Sequence, residues 1–298
     1  MKIEQSTMTF NAGASTTTSY YIDLARCLSA VNAKMISQTR RSDGKYKPLT
    51  YLVRVRVLGG FAAGVPVPGT LAIGTLNNGY PTRNAVVLAG AARDAMLKSA
   101  GVSRGNLESY QKELRLKFDC DMTDATSLSP GAVSFGFGPD YANNPTHSNA
   151  FGNSNAYDYN DLVYDNPDGS GTDIRQTLVV LGDKTTSATC LPVIYNWKEW
   201  RHSYTPSSVD DDIAPNAFSY VMQQSSTADA IIDIVGEEAD EKPYDLADFQ
   251  TKHVVDIVST DVGNPTSQVI SAPLGLLKIG QTVANQVFQI EVLGVSEL

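Results

Sequence analysis

Long apolar runs, a terminal basic tail and abundant cysteine are all missing from this chain of 298 residues. It contains no run of about 18 apolar residues, so the sequence predicts no membrane-spanning helix. The opening segment, MKIEQSTMTF, lacks the apolar stretch of a secretory signal. A hydrophobic content of 42% with only 18% charged residues is typical of a compact protein and excludes a disordered one.

Cysteine and histidine are scarce and badly spaced for metal binding. Cys27, Cys120 and Cys190 are odd in number, far apart and in no CxxC motif. This pattern argues against a disulfide framework and against a zinc site, and it favours folding in a reducing cytoplasm. The three histidines, His147, His202 and His253, show no H-x-x-x-H spacing, so they predict no metal centre.

Charge is divided unevenly along the chain. Residues 1–120 carry a net charge of +9, residues 121–298 carry −18, and neither end has a tail dense in Lys and Arg. Proteins that contact a genome directly often carry such a tail, because its cations neutralise phosphates, so we predict no direct nucleic-acid tail. The division predicts two units in different electrostatic surroundings, or complementary surfaces that meet on assembly. Chance drift of surface charge is the alternative.

Strand patterns dominate the sequence. In Tyr51–Leu58 the apolar residues Tyr51, Val53, Val55 and Val57 alternate with Leu52, Arg54, Arg56 and Leu58, which predicts a strand with one buried face. Further strands are predicted at Thr70–Leu76, Glu113–Phe118, Gln176–Leu181, Leu191–Trp197, Ala230–Val235, Val254–Val258, Leu274–Ile279 and Val287–Leu293.

Two helices interrupt the predicted strands. Asn84 can cap an Ala-rich segment that runs to about Ser99, with Gly101 where a C-terminal stop belongs. A short helical turn is expected after Asn106. A second helix is predicted from Pro243 through Phe249.

The composition changes in the middle of the chain. The stretch Ser129–Gly171 is rich in Asn, Gly, Tyr, Ser and Pro, which favours exposed loops. We therefore predict one unit over residues 1–135, a linker with exposed loops over 136–171, and a second unit over 172–298. In that linker Tyr141, Tyr157, Tyr159 and Tyr164 are expected to be exposed.

One motif resembles the active site of a hydrolase. Gly101-Val102-Ser103-Arg104-Gly105 fits the G-x-S-x-G nucleophile elbow, and His202 or His253 could follow as the base. The elbow requires a buried strand before its serine and a helix after it. The segment before Ser103 reads as a helix, so a helix-ending turn is the favoured interpretation.

A group of carboxylates in the middle of the chain forms a candidate calcium site. Asp158, Asp161, Asp165 and Asp168 lie in a segment rich in Gly and Asn, with Asp173 close behind. Oxygen ligands of this kind suit Ca²⁺, but the spacing does not match an EF-hand loop. Solvated loop carboxylates are the alternative.

An aromatic patch with two cations follows in the second half. It consists of Tyr195, Trp197, Trp200 and Tyr204 with Lys198 and Arg201. Such a patch could stack sugars or bases, but we favour a strand edge that packs into an interface.

Taken together, the pattern resembles the double jelly-roll major capsid proteins of small membrane-containing bacteriophages, of the corticovirus and finnlakevirus kind. The segment Ser271–Ile279 followed by Val287–Gly294 resembles the final strand pair of such a roll. The resemblance implies an all-β fold of two tandem antiparallel jelly-roll β-sandwiches with a few short helices. It also implies no catalytic residues and no cofactor.

The resemblance further implies how such a protein assembles. Members of this family form homotrimers that tile an icosahedral shell, meet other capsid proteins such as a vertex protein, and in several cases enclose an internal membrane. The protein would be made in the host cytoplasm and reside in the virion. The charge division predicts a head-to-tail ring with Arg40, Arg41, Lys45 and Lys47 as candidate contacts. A phage fibre or adhesin-type binding protein is the alternative function, and a serine hydrolase around Ser103 is the third.

Overall fold

A computed structural model describes residue 3 and residues 6–32, 34–62, 65–107, 112–123, 125–131, 159–164, 174–182, 189–197, 252–259 and 266–297. This part of the chain is mainly β, with antiparallel sheets and few helices, as predicted. The strands are β1 (Thr7–Ala12), β2 (Tyr20–Asp23), β3 (Thr39–Ser42), β4 (Lys45–Ala62), β5 (Val65–Val67), β6 (Gly69–Thr75), β7 (Asp161–Tyr164), β8 (Ile174–Val179), β9 (Cys190–Pro192), β10 (Lys252–Ser259), β11 (Ser267–Pro273), β12 (Leu276–Gln281) and β13 (Gln286–Glu297). The helices are α1 (Leu24–Val31) and α2 (Tyr80–Ser99), and a 3₁₀ turn follows at Arg104–Asn106.

Two antiparallel sheets form the body of the protein. The first has the strand order β1-β13-β4-β11, with β3 and β5 paired to other parts of the long strand β4. The second has the order β10-β6-β12-β2. Both sheets therefore combine strands from residues 7–75 with strands from residues 252–297.

The two sheets share one hydrophobic core. As predicted, Tyr51, Val53, Val55 and Val57 of β4 are fully buried while Leu52, Arg54 and Arg56 face outward. The core also takes Phe10 from β1, Ile22 from β2, Leu71 and Ile73 from β6, Leu277 and Ile279 from β12, and Phe288 and Ile290 from β13. The rings of Phe10 and Phe288 stack with their centroids 5.5 Å apart. Since this cluster draws on both sheets, they form a sandwich.

The predicted units of residues 1–135 and 172–298 do not form separate sheets among the described residues. β11 and β13 pair with β4, and β10 and β12 pair with β6. The predicted final pair, now β12 and β13, is divided between the two sheets. Local alternation predicts a strand but not its partner, and here the partners lie about 200 residues away along the chain.

The described parts of the chain between β6 and β10 build a second layer on the sandwich. α2, residues 112–123 and the sheet β7-β8-β9 pack there in a second cluster with Leu76, Tyr21 and Leu276. In this small sheet β8 and β9 run parallel, unlike the antiparallel pairs of the sandwich. Leu162 of β7 is only 2% exposed. The prediction that residues 136–171 are all linker and exposed loop is therefore wrong for β7, because Leu162 packs into the second cluster.

Several element boundaries also differ from prediction. α2 begins at Tyr80 after the N-cap Gly79, with Pro81 in its first turn, so Asn84 is an interior residue and not the cap. α1 was not predicted, although Asp23 caps it by accepting a hydrogen bond from the Arg26 amide over 3.1 Å.

Two predicted strands are not strands throughout. The segment 113–118 is not a regular strand and forms an isolated bridge, Lys117 to Val179. The segment 191–197 continues β9 for two residues and then turns helical at residue 193. The predicted strand Ala230–Val235 and the predicted helix Pro243–Phe249 lie outside the described residues.

Candidate assembly surface

The outward face of the first sheet carries apolar side chains in solvent. Leu52 on β4, Val269 on β11 and Leu293 on β13 are 45%, 47% and 41% exposed. Leu52 lies opposite Ser271 of β11 on one side and Gly294 of β13 on the other. The three side chains therefore lie on neighbouring strands of one face, and we call them the apolar patch.

A bulge in β13 contributes to this patch. The register between β13 and β4 shifts between Val292 and Gly294, so Leu293 has no directly opposed residue on β4. Val292 points into the core, Leu293 points outward, and Gly294 lies opposite the outward-facing Leu52. Bulges re-aim side chains in this way and increase the local twist of a sheet.

Ion pairs surround the patch and connect the two ends of the chain. Arg54 Nη1 lies 2.9 Å from Glu291 Oε2 across β4 and β13. Glu297 forms ion pairs with Arg40 over 3.1 Å and with Lys47 over 3.7 Å. The basic N-terminal part and the acidic C-terminal part thus neutralise each other here within one subunit. All these groups are more than a third exposed, so each pair adds only about 0–1 kcal/mol to stability.

A cleft of about 870 Å³ lies beside these pairs, between the β3–β4 hairpin and the end of β13. Its lining combines hydroxyl and charged side chains, such as Ser37, Arg40 and Glu297, with apolar ones such as Leu49 and Leu293. Since Arg40 is already paired with Glu297, the cleft wall holds both signs of charge in contact with each other. This geometry suits a polar contact surface more than a pocket for one charged ligand.

A buried carboxylate joins the sandwich to the second layer. Asp23 is 3% exposed and accepts hydrogen bonds from the Arg26 amide, from Gln38 Nε2 over 2.8 Å and from the Tyr159 hydroxyl over 3.2 Å. Burial raises the pKa of Asp23 above its ordinary value, and the donors together with the nearby Arg26 guanidinium oppose that rise. We call this group the Asp23 hub.

Gln38 extends the hub to the backbone of the second layer. Its Nε2 donates to the Leu116 carbonyl over 3.0 Å, and its Oε1 accepts from the Leu116 amide over 2.8 Å. Two cations lie close to the Tyr159 ring, with Arg26 at 5.8 Å and Lys117 at 5.6 Å from its centroid. Tyr159, expected to be exposed, is thus a structural contact; Tyr141 and Tyr157 lie outside the described residues.

Ser103 does not lie on a nucleophile elbow. It follows α2, precedes the 3₁₀ turn at Arg104–Asn106 and is exposed. Gly101 has φ of +72°, as a helix-ending glycine does. The buried strand that a nucleophile elbow requires before its serine is replaced here by a helix. His253 lies on β10, and His147 and His202 lie outside the described residues.

One of the four candidate calcium ligands is described, and its oxygens have protein partners. Asp161 opens β7, where Oδ1 accepts from the Thr177 hydroxyl over 2.7 Å and Oδ2 lies 3.9 Å from Arg175 Nε. In the ranges given above, no three His, Cys, Asp or Glu side chains cluster as metal ligands would. Asp158, Asp165 and Asp168 lie outside the described residues, so the calcium site stays a prediction.

The aromatic patch belongs partly to the core. Tyr195 and Trp197 are 7% and 6% exposed, because residues 193–197 form a helical turn that packs into the second layer. The rings of Tyr80 and Trp197 pack edge to face with their centroids 5.9 Å apart. Trp200 and Tyr204 lie outside the described residues.

The cysteine prediction is wrong. Cys120 and Cys190 form a disulfide with their Cα atoms 5.9 Å apart, and Cys27 is a buried free thiol. The bond joins the segment 112–123 to β9 within the second layer. The two positions are 70 residues apart, and only the folded arrangement brings them together.

Within the described ranges, no helix is long and apolar enough to cross a membrane. Comparisons with models of known protein families, with curated proteins and with solved structures found no match.

Proposed function

We propose that this chain is a structural shell protein, a major capsid protein built on one jelly roll. The strand order of the sandwich carries the proposal. Eight strands follow one another as β1, β2, β4, β6, β10, β11, β12 and β13. If these strands are numbered one to eight along the chain, they lie side by side in the order 1-8-3-6 in the first sheet and 5-4-7-2 in the second. This interleaving is the order of a jelly roll, a fold used by viral capsid proteins.

Instead of the two tandem rolls predicted from the sequence, we propose a single roll that carries a large insertion. The second layer, with α2 and the sheet β7-β8-β9, enters between the fourth and fifth strands of the roll. A disulfide and the Asp23 hub fasten this insertion. In a shell, the roll would form the repeating wall and the insertion would supply a surface particular to this protein.

The exposed surface supports an assembling protein. The apolar patch leaves three large apolar side chains in solvent on a regular sheet face, and apolar patches on regular surfaces often mark protein contacts. The partners we propose are further copies in a homotrimer, other capsid proteins such as a vertex protein, and an internal membrane beneath the shell. The protein would then reside in the virion after synthesis in the host cytoplasm.

Native mass spectrometry and negative-stain microscopy test the proposal. The purified chain is expected to form trimers and, under assembly conditions, particles of megadalton mass. A chain that stays monomeric at high concentration in every buffer would contradict the shell function.

A glycan-binding role is the second candidate, because lectins also use jelly rolls. Tyr80 is 60% exposed and is held in place by Trp197, so its ring could stack against a sugar. A glycan array tests this candidate: binding by the wild type that is lost in Tyr80→Ala would favour an adhesin. No binding by a folded wild-type protein would argue against it.

A further inference from the structure

The edges of the two sheets are not protected equally. Four strands end these sheets: β1, β11, β10 and β2. On β1, the Thr9 carbonyl accepts from the Gly131 amide, and on β2 the Tyr21 amide donates to the Thr126 carbonyl. The segment 126–131 thus covers both of these edges. β10 carries Lys252 and Asp256, and charge is a common protection of an edge strand.

β11 has neither kind of protection among the described residues. Its sequence, SQVISAP, contains no charged residue and has a protecting proline only at its last position, Pro273, and its first three residues are exposed. Among the described strands, β11 pairs with β4 alone. Natural proteins seldom leave an uncharged edge strand open, because it offers a template for another strand.

The register shows which backbone groups of β11 face outward. The Val57 amide donates to the Thr266 carbonyl over 3.1 Å, and the Leu274 amide donates to the Leu49 carbonyl. In an antiparallel pair, hydrogen-bonded residues alternate, so residues 268, 270 and 272 bond to β4. The amide and carbonyl groups of Ser267, Val269 and Ser271 therefore point to the open edge.

We propose that β11 is a self-association edge, on which two copies of this chain pair their β11 strands antiparallel about a two-fold axis at Val269. Such pairing puts Val269 opposite Val269 of the second copy, and Ser267 opposite Ser271 of the second copy. All three outward-facing residues then gain hydrogen-bonded partners. The first sheet continues across both subunits.

Charge and apolar contact favour a second copy as the occupant. A two-fold axis brings two identical strands together. A charged strand would therefore meet like charges on the second copy and be repelled. β11 has no charge to repel. Val269 at the axis belongs to the apolar patch with Leu52, so the patches of the two copies meet beside it on one face. The pairing goes beyond the shell function and does not depend on it.

Single substitutions at Val269 test the pairing. Because the Val269 amide points away from β4, Val269→Pro and Val269→Lys remove no hydrogen bond to β4, although the lysine is placed opposite Arg54 and repels it. Sedimentation velocity over a concentration series is expected to show a two-fold species for the wild type, which is a dimer of the chain or, where the trimer of the shell proposal also forms, a pair of trimers. Each variant should weaken this association about tenfold or more. Thr7→Lys is the matched control, since it adds the same charge to an exposed site on β1 and should associate like the wild type.

A charge-swap experiment identifies the occupant. Val269→Lys and Val269→Asp should each associate weakly alone, and an equimolar mixture should recover the two-fold species because opposite charges then meet at the axis. Circular dichroism checks that both variants are folded. A wild type that stays monomeric, variants that associate normally, or a mixture without recovery would each overturn the pairing. If the Val269 variants associate like the wild type and the protein still forms particles, the β11 contact is rejected and the shell function stands.

Discussion

The hydroxyl group of Tyr159 donates a hydrogen bond to Oδ2 of Asp23 over 3.2 Å, although the two residues are 136 positions apart. Asp23 caps α1 in the sandwich, and Tyr159 precedes β7 in the insertion. Gln38 Nε2 donates a hydrogen bond to the same oxygen and another to the Leu116 carbonyl. One buried carboxylate therefore connects three segments of chain, and its contacts bind the insertion to the roll.

Replacing Asp23 by Asn should destabilise the protein. Asn offers one acceptor oxygen where Asp23 serves three donors, so at least one buried donor loses its partner. The expected loss in the free energy of unfolding is about 1–3 kcal/mol, measured by urea denaturation. Asp43→Asn is the control, because that side chain is 89% exposed and should change stability by no more than about 0.5 kcal/mol.

The same residue predicts a pH dependence. Burial raises the pKa of folded Asp23 above its ordinary value of 3.8. Between the unfolded and folded pKa values the folded state holds a proton that the unfolded state has lost, so this residue's contribution to stability falls as pH rises through that window. Asn cannot ionise, so the stability difference between wild type and Asp23→Asn should be largest near pH 4 and shrink as pH rises. A difference that grows with pH would contradict the raised pKa.

The sequence predicts strands well where one face is buried. The alternation in β4 and the apolar residues of β12 and β13 are local signals, and the structure confirms them as strands. α1 was missed although Asp23 is a suitable N-cap and Leu24, Cys27 and Leu28 have helical spacing. Eight residues are too few for periodicity to distinguish such a helix from a strand.

Pairing between strands or cysteines that are far apart along the chain could not be predicted from local sequence patterns. Nothing in the sequence of β11 indicates that it pairs with β4, and nothing near Cys120 indicates Cys190. The candidate surface was missed for the same reason. Taken singly in the sequence, Leu52, Val269 and Leu293 give no signal of a surface. They form a patch only because β4 pairs with both β11 and β13.

Removing the disulfide should loosen the insertion. The bond closes a loop across 70 residues, which corresponds to roughly 4 kcal/mol in the chain-entropy model. Cys120→Ser with Cys190→Ser is expected to lower the free energy of unfolding by about 2–4 kcal/mol. A reducing agent should have the same effect on the wild type and none on the double variant. Cys27→Ser cannot serve as the control because Cys27 is buried, so Ser103→Ala at an exposed site is used instead.

Gly90 is required where α2 crosses the β3–β4 hairpin. A Cβ atom on Gly90 would lie 2.8 Å from Cγ of the buried Tyr46 ring. Gly90→Ala should therefore destabilise the protein by about 1–3 kcal/mol through overpacking, although the same change in an open helix stabilises by up to about 1 kcal/mol. Thermal unfolding compares it with Gly294→Ala, whose Cβ meets no atom within 4 Å and should be nearly neutral. A more stable Gly90→Ala variant would contradict the close packing.

Charge reversal on the β3–β4 hairpin should separate folding from assembly. Arg41 Nη1 lies 2.9 Å from Asp94 Oδ2, both side chains are about 30% exposed, and the guanidinium lies over the Tyr46 ring. Arg41→Glu would place two carboxylates together, so we expect unfolding to become easier by about 1–2 kcal/mol.

Arg40 is the sharper probe, because its side chain is 69% exposed and pairs only with the exposed Glu297 among the described acids. Arg40→Glu should change the free energy of unfolding by at most about 1 kcal/mol. If the hairpin lies at a subunit contact, Arg40→Glu will slow assembly while its urea midpoint stays near that of the wild type. The effect should shrink as salt rises past about 0.15 M, where the screening length is near 8 Å. Assembly at the wild-type rate and with the wild-type salt dependence would exclude this hairpin from the contact, because a reversed charge at an interface alters the association rate first.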